Sequence, residues 1–453
     1  MSRFSPAWNR RVRVLLASFL ASCGLAGCGS SAMRAASDGD YPRLRSEITP
    51  EHERGKISKG EAADLARAVA THELVSAKDE ASATARVRES EPCAMDVDDA
   101  LEARMKQHDG AGAEAALLRL EAGNLSEGSA RDLLTDTDDR WRAVGVRTLH
   151  RSKDGKDRRA ALFDPSPRVR RSAIRASAKA GDAADLDVLL ETARVDPELM
   201  LRNEAIRAMS AIVREDKSRA GELAMRLRDL WNAGDDAVRE DVAVAWALSP
   251  VFDNGGREAL RVQLASGRGP GAIAAAAVIL RTTPKDAELT SSASALLART
   301  IAEGSGRDRL HAIVSARLDG AELEALRKAA KEEDADVRVA ALGRLLASKP
   351  DHDAATRDLE TVAGYGVKGT PSDDPRARDL AARARLALAY AGDVRIQAWI
   401  EEDLQATEPH RRLGAASALA ALGRPSRGAP LLADPDPSVR TRAACTMMLA
   451  ARR

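Results

Sequence analysis

Gly364-Tyr365-Gly366-Val367-Lys368-Gly369 has the G-x-G-x-x-G spacing with which a backbone can cradle a pyrophosphate. That chemistry needs a strand before the glycines and a helix directly after them. Here a helix-forming stretch, about residues 354–362, comes before, and Thr370-Pro371-Ser372-Asp373-Asp374-Pro375 follows, so residues Gly364 to Thr370 read as an inserted loop. The seven histidines (His52, His72, His108, His150, His311, His352 and His410) are dispersed, and none makes an H-E-x-x-H pair or another metal-ligand spacing. Asp351-His352-Asp353 reads as a loop leading into a helix. There is no G-x-S-x-G and no locally supported Cys–His pair, and Glu332-Glu333 and Glu401-Glu402 suit helix surfaces better than acid–base work. The residue types predict no catalytic residue, no metal and no cofactor, hence a non-enzyme.

Cysteine placement suggests a different chemistry. Arg10, Arg11 and Arg13 precede a short apolar run, Val14 to Leu20, followed by small residues. This is the pattern of a secretory signal, too short for a lasting membrane span. Its end, Leu25-Ala26-Gly27-Cys28, resembles the lipobox of bacterial lipoproteins. Leu20-Ala21-Ser22-Cys23 is a second, poorer match, because cleavage there leaves a very short apolar core. The resemblance implies a signal over residues 1–27, a diacylglycerol on the Cys28 thiol, and a membrane tether through buried methylenes. Gly29 in place of Asp implies delivery to the outer membrane, facing the periplasm. The expected address is therefore the cell envelope, lipid-anchored.

Charge and composition narrow the partner classes. Lys plus Arg number 70 and Asp plus Glu 69. Without residues 1–27, which hold four arginines and no acid, the net charge falls to about −3. No basic footprint for nucleic acid exists. Aromatic residues are only 3%, while helix-forming Ala, Leu, Arg and Glu abound, which points to an all-α fold.

Residues 28–57 hold Ser, Gly, Pro and scattered charge without apolar periodicity and read as a flexible tether. Ser58-Lys59-Gly60-Glu61 has a capping-box pattern and opens a helical lead-in over residues 58–136, expected to cap the first repeat. Repeats fill residues 137–453.

The repeat is anchored on small buried positions: Gly145, Ala173, Ala205, Val242, Ala276, Ala312, Ala341, Ala384, Ala415 and Ala443, spaced 28 to 43 residues apart. Residues four before and four after each anchor are mostly apolar, which is one face of a helix. Small anchors imply that another backbone or side chain crosses close by. Three residues before the anchor stands Arg142, Arg170, Arg202, Arg239, Arg309, Arg338, Arg412 or Arg440. Nine before it stands Asp136, Asp164, Asp196 or Asp434, and three of these precede Pro165, Pro197 and Pro435. The Asp is expected to cap the helix and the Pro to sit in its first turn. Ala180-Gly181-Asp182 and Ala391-Gly392-Asp393 end one helix and start a second. About ten helix–turn–helix units therefore stack as an α-solenoid. Trp141 and Trp246 fall on the apolar stripe and are expected in the core.

Asp164-Pro165-Ser166-Pro167-Arg168-Val169-Arg170-Arg171-Ser172-Ala173 and Asp434-Pro435-Asp436-Pro437-Ser438-Val439-Arg440 resemble the short HEAT repeats also found in phycobilisome lyases. The resemblance implies that each Arg pairs with an Asp or a turn carbonyl and locks successive units in register. A long solenoid face together with the expected anchor points to a protein-binding scaffold whose partner is another envelope protein. The alternative by the same resemblance is a lyase-like or cofactor-handling accessory protein. Cys93 and Cys445, counted through ten layers, are expected near opposite ends, as two free and mostly buried thiols.

Overall fold

Alanine and leucine runs punctuated by Asp, Ser and Gly set the helix ends. Ser58 accepts a hydrogen bond from the Glu61 N–H at 3.1 Å, Asp182 from the Ala184 N–H at 3.0 Å, and Asp393 from the Arg395 N–H at 3.1 Å. Gly181 and Gly392 take φ of +65° and +86°, the left-handed geometry that ends a helix without a Cβ penalty. The computed structural model describes residues 30–233, 236–267, 269–282, 286–364 and 374–452. Among these every regular element is helical, and no helix is long and apolar enough to cross a membrane. The chain divides into two compact units.

The larger unit spans Leu101–Asp403. Its anchor-bearing helices pack in series: Asp139–Val146, Pro167–Ala180, Leu199–Glu215, Asp236–Trp246, Pro270–Thr282, Gly306–Ser315, Ala335–Leu345 and Pro375–Tyr390. A second row, including Leu186–Val195, Ala220–Ala233, Arg257–Ser266, Ala287–Glu303 and Gly320–Ala329, packs behind them. This sequential packing is that of an α-solenoid. The anchor positions are buried. At Gly145 the reason for a small residue is explicit: a Cβ there would lie 2.5 Å from the Leu134 backbone nitrogen. Trp141 and Trp246 are core residues. Gly110 and Gly112 lie in the first turn of the Gly110–Glu121 helix, capped by Asp109.

The smaller unit joins residues 1–100 with 404–453, and here three expectations are corrected. The tether reading of residues 28–57 gives way to two helices, Ser31–Asp38 and Tyr41–Glu53, which bury Ala35, Ala36, Leu44 and Ile48. Their few apolar residues find a partner in the distant segment Pro425–Ala433, on which the Tyr41–Glu53 helix packs. The lead-in does not act as one cap before the first repeat. The Lys59–Ser76 helix lies along the last helix, Pro437–Arg452, while residues 101–136 belong to the larger unit. Cys93 and Cys445 are not free thiols at opposite ends: they form a disulfide, with Cα atoms 5.2 Å apart and 352 residues of separation. The layer count failed because it placed residues 58–136 and 404–453 in one linear stack. Cross-links of other kinds repeat this pairing. Arg45 donates to the Ala433 carbonyl at 2.7 Å, Arg427 to the His52 carbonyl at 2.6 Å, and Arg452 pairs with Asp96 at 2.7 Å.

Candidate functional site

The recurrent aspartates make a turn rather than a helix cap. Oδ1 of Asp136, Asp164, Asp196 and Asp434 accepts the N–H two residues on, at 2.9, 2.8, 2.9 and 2.9 Å. The helices begin later, at Asp139, Pro167, Leu199 and Pro437. This corrects the N-cap reading, and with it the placing of Pro165, Pro197 and Pro435 in the first helical turn. Each of these prolines sits inside the Asp turn, where its fixed φ suits the bend.

The turn leaves the second carboxylate oxygen and two backbone carbonyls facing the neighbouring arginine. Arg142 donates to the Asp136 carbonyl at 3.0 Å and reaches the Asp164 carboxylate at 3.6 Å. Arg170 donates to the carbonyls of Asp164 and Pro165, both at 3.0 Å. The other edge of its guanidinium grips Asp196 in a fork, at 2.7 and 3.1 Å. Each arginine thus ties its own turn to the turn of the next repeat, forming a ladder Asp136–Arg142–Asp164–Arg170–Asp196. The hydrogen bond to Asp196 raises the Arg170 pKa, against the opposing pull of desolvation. Such charge-assisted bonds contribute about 1.5–3 kcal/mol each where water is excluded.

The device recurs in the smaller unit. Arg412 donates to the Ala406 and Thr407 carbonyls, both at 2.8 Å, and pairs with Asp434 at 2.7 Å. Arg440 donates to the Asp434 carbonyl at 2.5 Å and pairs with Glu73 at 2.7 Å. Where the Asp is missing, the arginine keeps a backbone carbonyl. Arg239 donates to Trp231 at 3.2 Å, Arg309 to Ile301 at 2.7 Å, and Arg338 to Glu332 at 2.6 Å. Arg202 is likewise partnered. These side chains are therefore occupied within the chain and act on the geometry of the stack.

A second set of charges, which the repeat pattern did not single out, crosses the same units on the helix faces. Arg147, Arg175 and Arg207 each stand two residues after an anchor, a phase the sequence does display. Arg147 pairs with Glu121 at 2.5 Å and Arg175 with Glu121 at 3.1 Å. Arg171 pairs with Glu204 at 2.6 Å, and Arg207 with Asp241 at 2.8 Å. Burial pulls the Arg147 pKa down to about 10, partly countered by Glu121. Nearby, Glu127 accepts from His150 at 2.7 Å and Lys179 at 3.0 Å, and these bonds hold its carboxyl at about 2.

Among the described residues no group of three or more His, Cys, Asp or Glu is placed to hold a metal. His352 engages the Leu346 carbonyl at 2.7 Å, and His108 stacks on Trp141. Cys28 and residues 365–370 of the glycine-rich segment lie outside the described residues; Gly364 ends the turn after the His352–Val362 helix.

A family model of HEAT repeats matches residues 129–210. That stretch contains the Asp136-to-Asp196 ladder, so HEAT repeats occupy this part of a chain whose described elements are all helical. No curated protein matches the chain.

Proposed function

We propose that this chain is a lipid-anchored scaffold that presents a HEAT-repeat stack to another protein of the cell envelope. The observation that carries the scaffold reading is the ladder of residues 136–196, inside the matched HEAT segment. It fixes neighbouring repeats rigidly, so that side chains from successive helices form one preorganised surface, which lowers the ordering cost of binding a partner. The anchor reading rests on Leu25-Ala26-Gly27-Cys28. The Cys93–Cys445 bridge accords with an oxidising compartment.

Two measurements test this. Mass spectrometry of the N-terminal peptide from membranes should find Cys28 as the first residue, carrying diacylglycerol, and a Cys28→Ala chain should lose that adduct. Crosslinking in intact envelopes should then give a discrete adduct with one envelope protein. An unmodified Cys28 removes the anchor; crosslinks only to lipid or to abundant bystanders remove the scaffold.

A further inference from the structure

Two adjacent ladder turns carry an apolar patch that the ladder does not need. Phe163 and Val195 each stand one residue before a ladder aspartate. The turns share one geometry, Asp164 accepting from Ser166 N–H and Asp196 from Glu198 N–H. The residues before them are therefore presented alike. A single guanidinium, Arg170, holds the Pro165 carbonyl at 3.0 Å and the Asp196 carboxylate at 2.7 Å, so the two turns lie side by side. Phe163 is 66% exposed, Val195 58% and Met200 62%. Pro165 and Pro197 are exposed between them. Large apolar side chains grouped this way on a rigid edge mark an interaction surface.

The rim of the patch indicates its occupant. Arg168 stands beside the first turn and Glu198 beside the second; both are exposed, and Glu198 also lies in the field of Arg170. A surface with an exposed cation and an exposed anion flanking an apolar centre can be complementary to its own copy turned through a two-fold axis. In such an isologous contact residue i meets j and j meets i. Arg168 of each copy then faces Glu198 of the other, while the Phe163–Pro165 turn lies over the Val195–Met200 turn.

We propose that this patch is the contact of a homodimer between two copies of this chain. It is built from a few exposed side chains on two turns, where a tight interface takes roughly 20–30 residues a side, so the dimer is a weak one, dissociating in the micromolar range or above. Concentration on a membrane surface would favour it. The proposal concerns residues 163–200 alone and does not depend on the envelope partner or on lipidation.

Sedimentation equilibrium of residues 29–453, which hold every described residue, tests it with the disulfide intact. The expected result is a reversible monomer–dimer equilibrium. Phe163→Glu should weaken it at least about tenfold, with helical circular dichroism unchanged because the site is exposed. Arg168→Glu should weaken it several-fold, and Arg168→Glu with Glu198→Arg should restore it. A chain monomeric to about 100 µM, a range typical of weak dimers, overturns the proposal. So does a dimer indifferent to Phe163→Glu, or a charge swap without rescue. Flotation with phosphatidylethanolamine vesicles that Phe163→Glu abolishes, in a chain that stays monomeric, would assign the patch to a lipid surface instead.

Discussion

Arg440 in the last helix pairs with Glu73 at 2.7 Å, across 367 residues of sequence. Glu73 occupies the place that the next repeat's aspartate takes opposite Arg142 and Arg170. Its carboxylate also receives the Tyr41 hydroxyl, and the Arg440 guanidinium lies 3.8 Å over the Tyr41 ring. The final rung of the ladder is thus completed by the N-terminal part of the chain. Burial and the contact with Glu73 push the Tyr41 pKa well above its ordinary value.

Breaking this rung should be costly, because both side chains are only 8% exposed. Glu73→Gln leaves a buried guanidinium short of its counter-charge, and we expect a loss of about 3 kcal/mol. Urea denaturation of single and double variants (Glu73→Gln, Arg440→Met) measures it. A strictly additive cycle would show that the pair is not coupled.

Reducing the Cys93–Cys445 bridge should loosen the smaller unit before the larger one. Removing a link that closes so long a loop is expected to cost about 2–4 kcal/mol. Hydrogen exchange with and without reductant should show faster exchange in residues 31–100 and 404–452. Protection in the Pro167–Glu215 helices should stay unchanged. Peptide mapping without reductant should recover the two cysteines in one linked peptide.

At Gly145 a methyl group has nowhere to go. Gly145→Ala forces the Leu133–Leu134 backbone aside, and a destabilisation of about 1–3 kcal/mol is expected. Gly392→Ala tests a different cause, its φ of +86°. No neighbouring atom crowds Gly392, so its cost is conformational, about 1 kcal/mol. Thermal unfolding of the two variants should rank Gly145→Ala as the less stable.

The Glu127–His150–Lys179 cluster gives a pH signature. The folded carboxyl of Glu127 sits at about 2, below its ordinary 4.5. Its contribution to stability is therefore complete above pH 4.5 and is lost as pH falls through about 2. Carbon-13 titration of the Glu127 carboxyl should find a midpoint near 2. A midpoint above 4 would mean that the cluster does not form.

The ladder was legible in sequence because its parts are local and repeated. Arginine three before and aspartate nine before a small anchor mark one turn geometry, and repetition raises that signal above chance. What the aspartate does was misplaced by two residues, since Asp-Pro and the capping pattern look alike until Pro167 and Pro437 are seen to start the helices. The helices over residues 31–53 were not legible. Leu44 and Ile48 show too little periodicity alone, and the surface that buries them comes from residues 425–433. Glu73 carries no turn motif, so nothing local marks it as a stand-in for aspartate. Cysteine pairing is likewise a property of the folded chain rather than of spacing.

The union of residues 31–100 with 404–452 also orders events in time. A ribosome or an export channel delivers a chain from its first residue onward, and neighbours can fold as they emerge. The Tyr41–Glu53 and Lys59–Ser76 helices must instead wait for partners that begin only at Pro425 and Pro437. Through that interval these helices have only one another to pack on, and Cys93 stays unpaired while Cys445 is still to come. Truncations that remove residues 425–452 should therefore harm the N-terminal helices first.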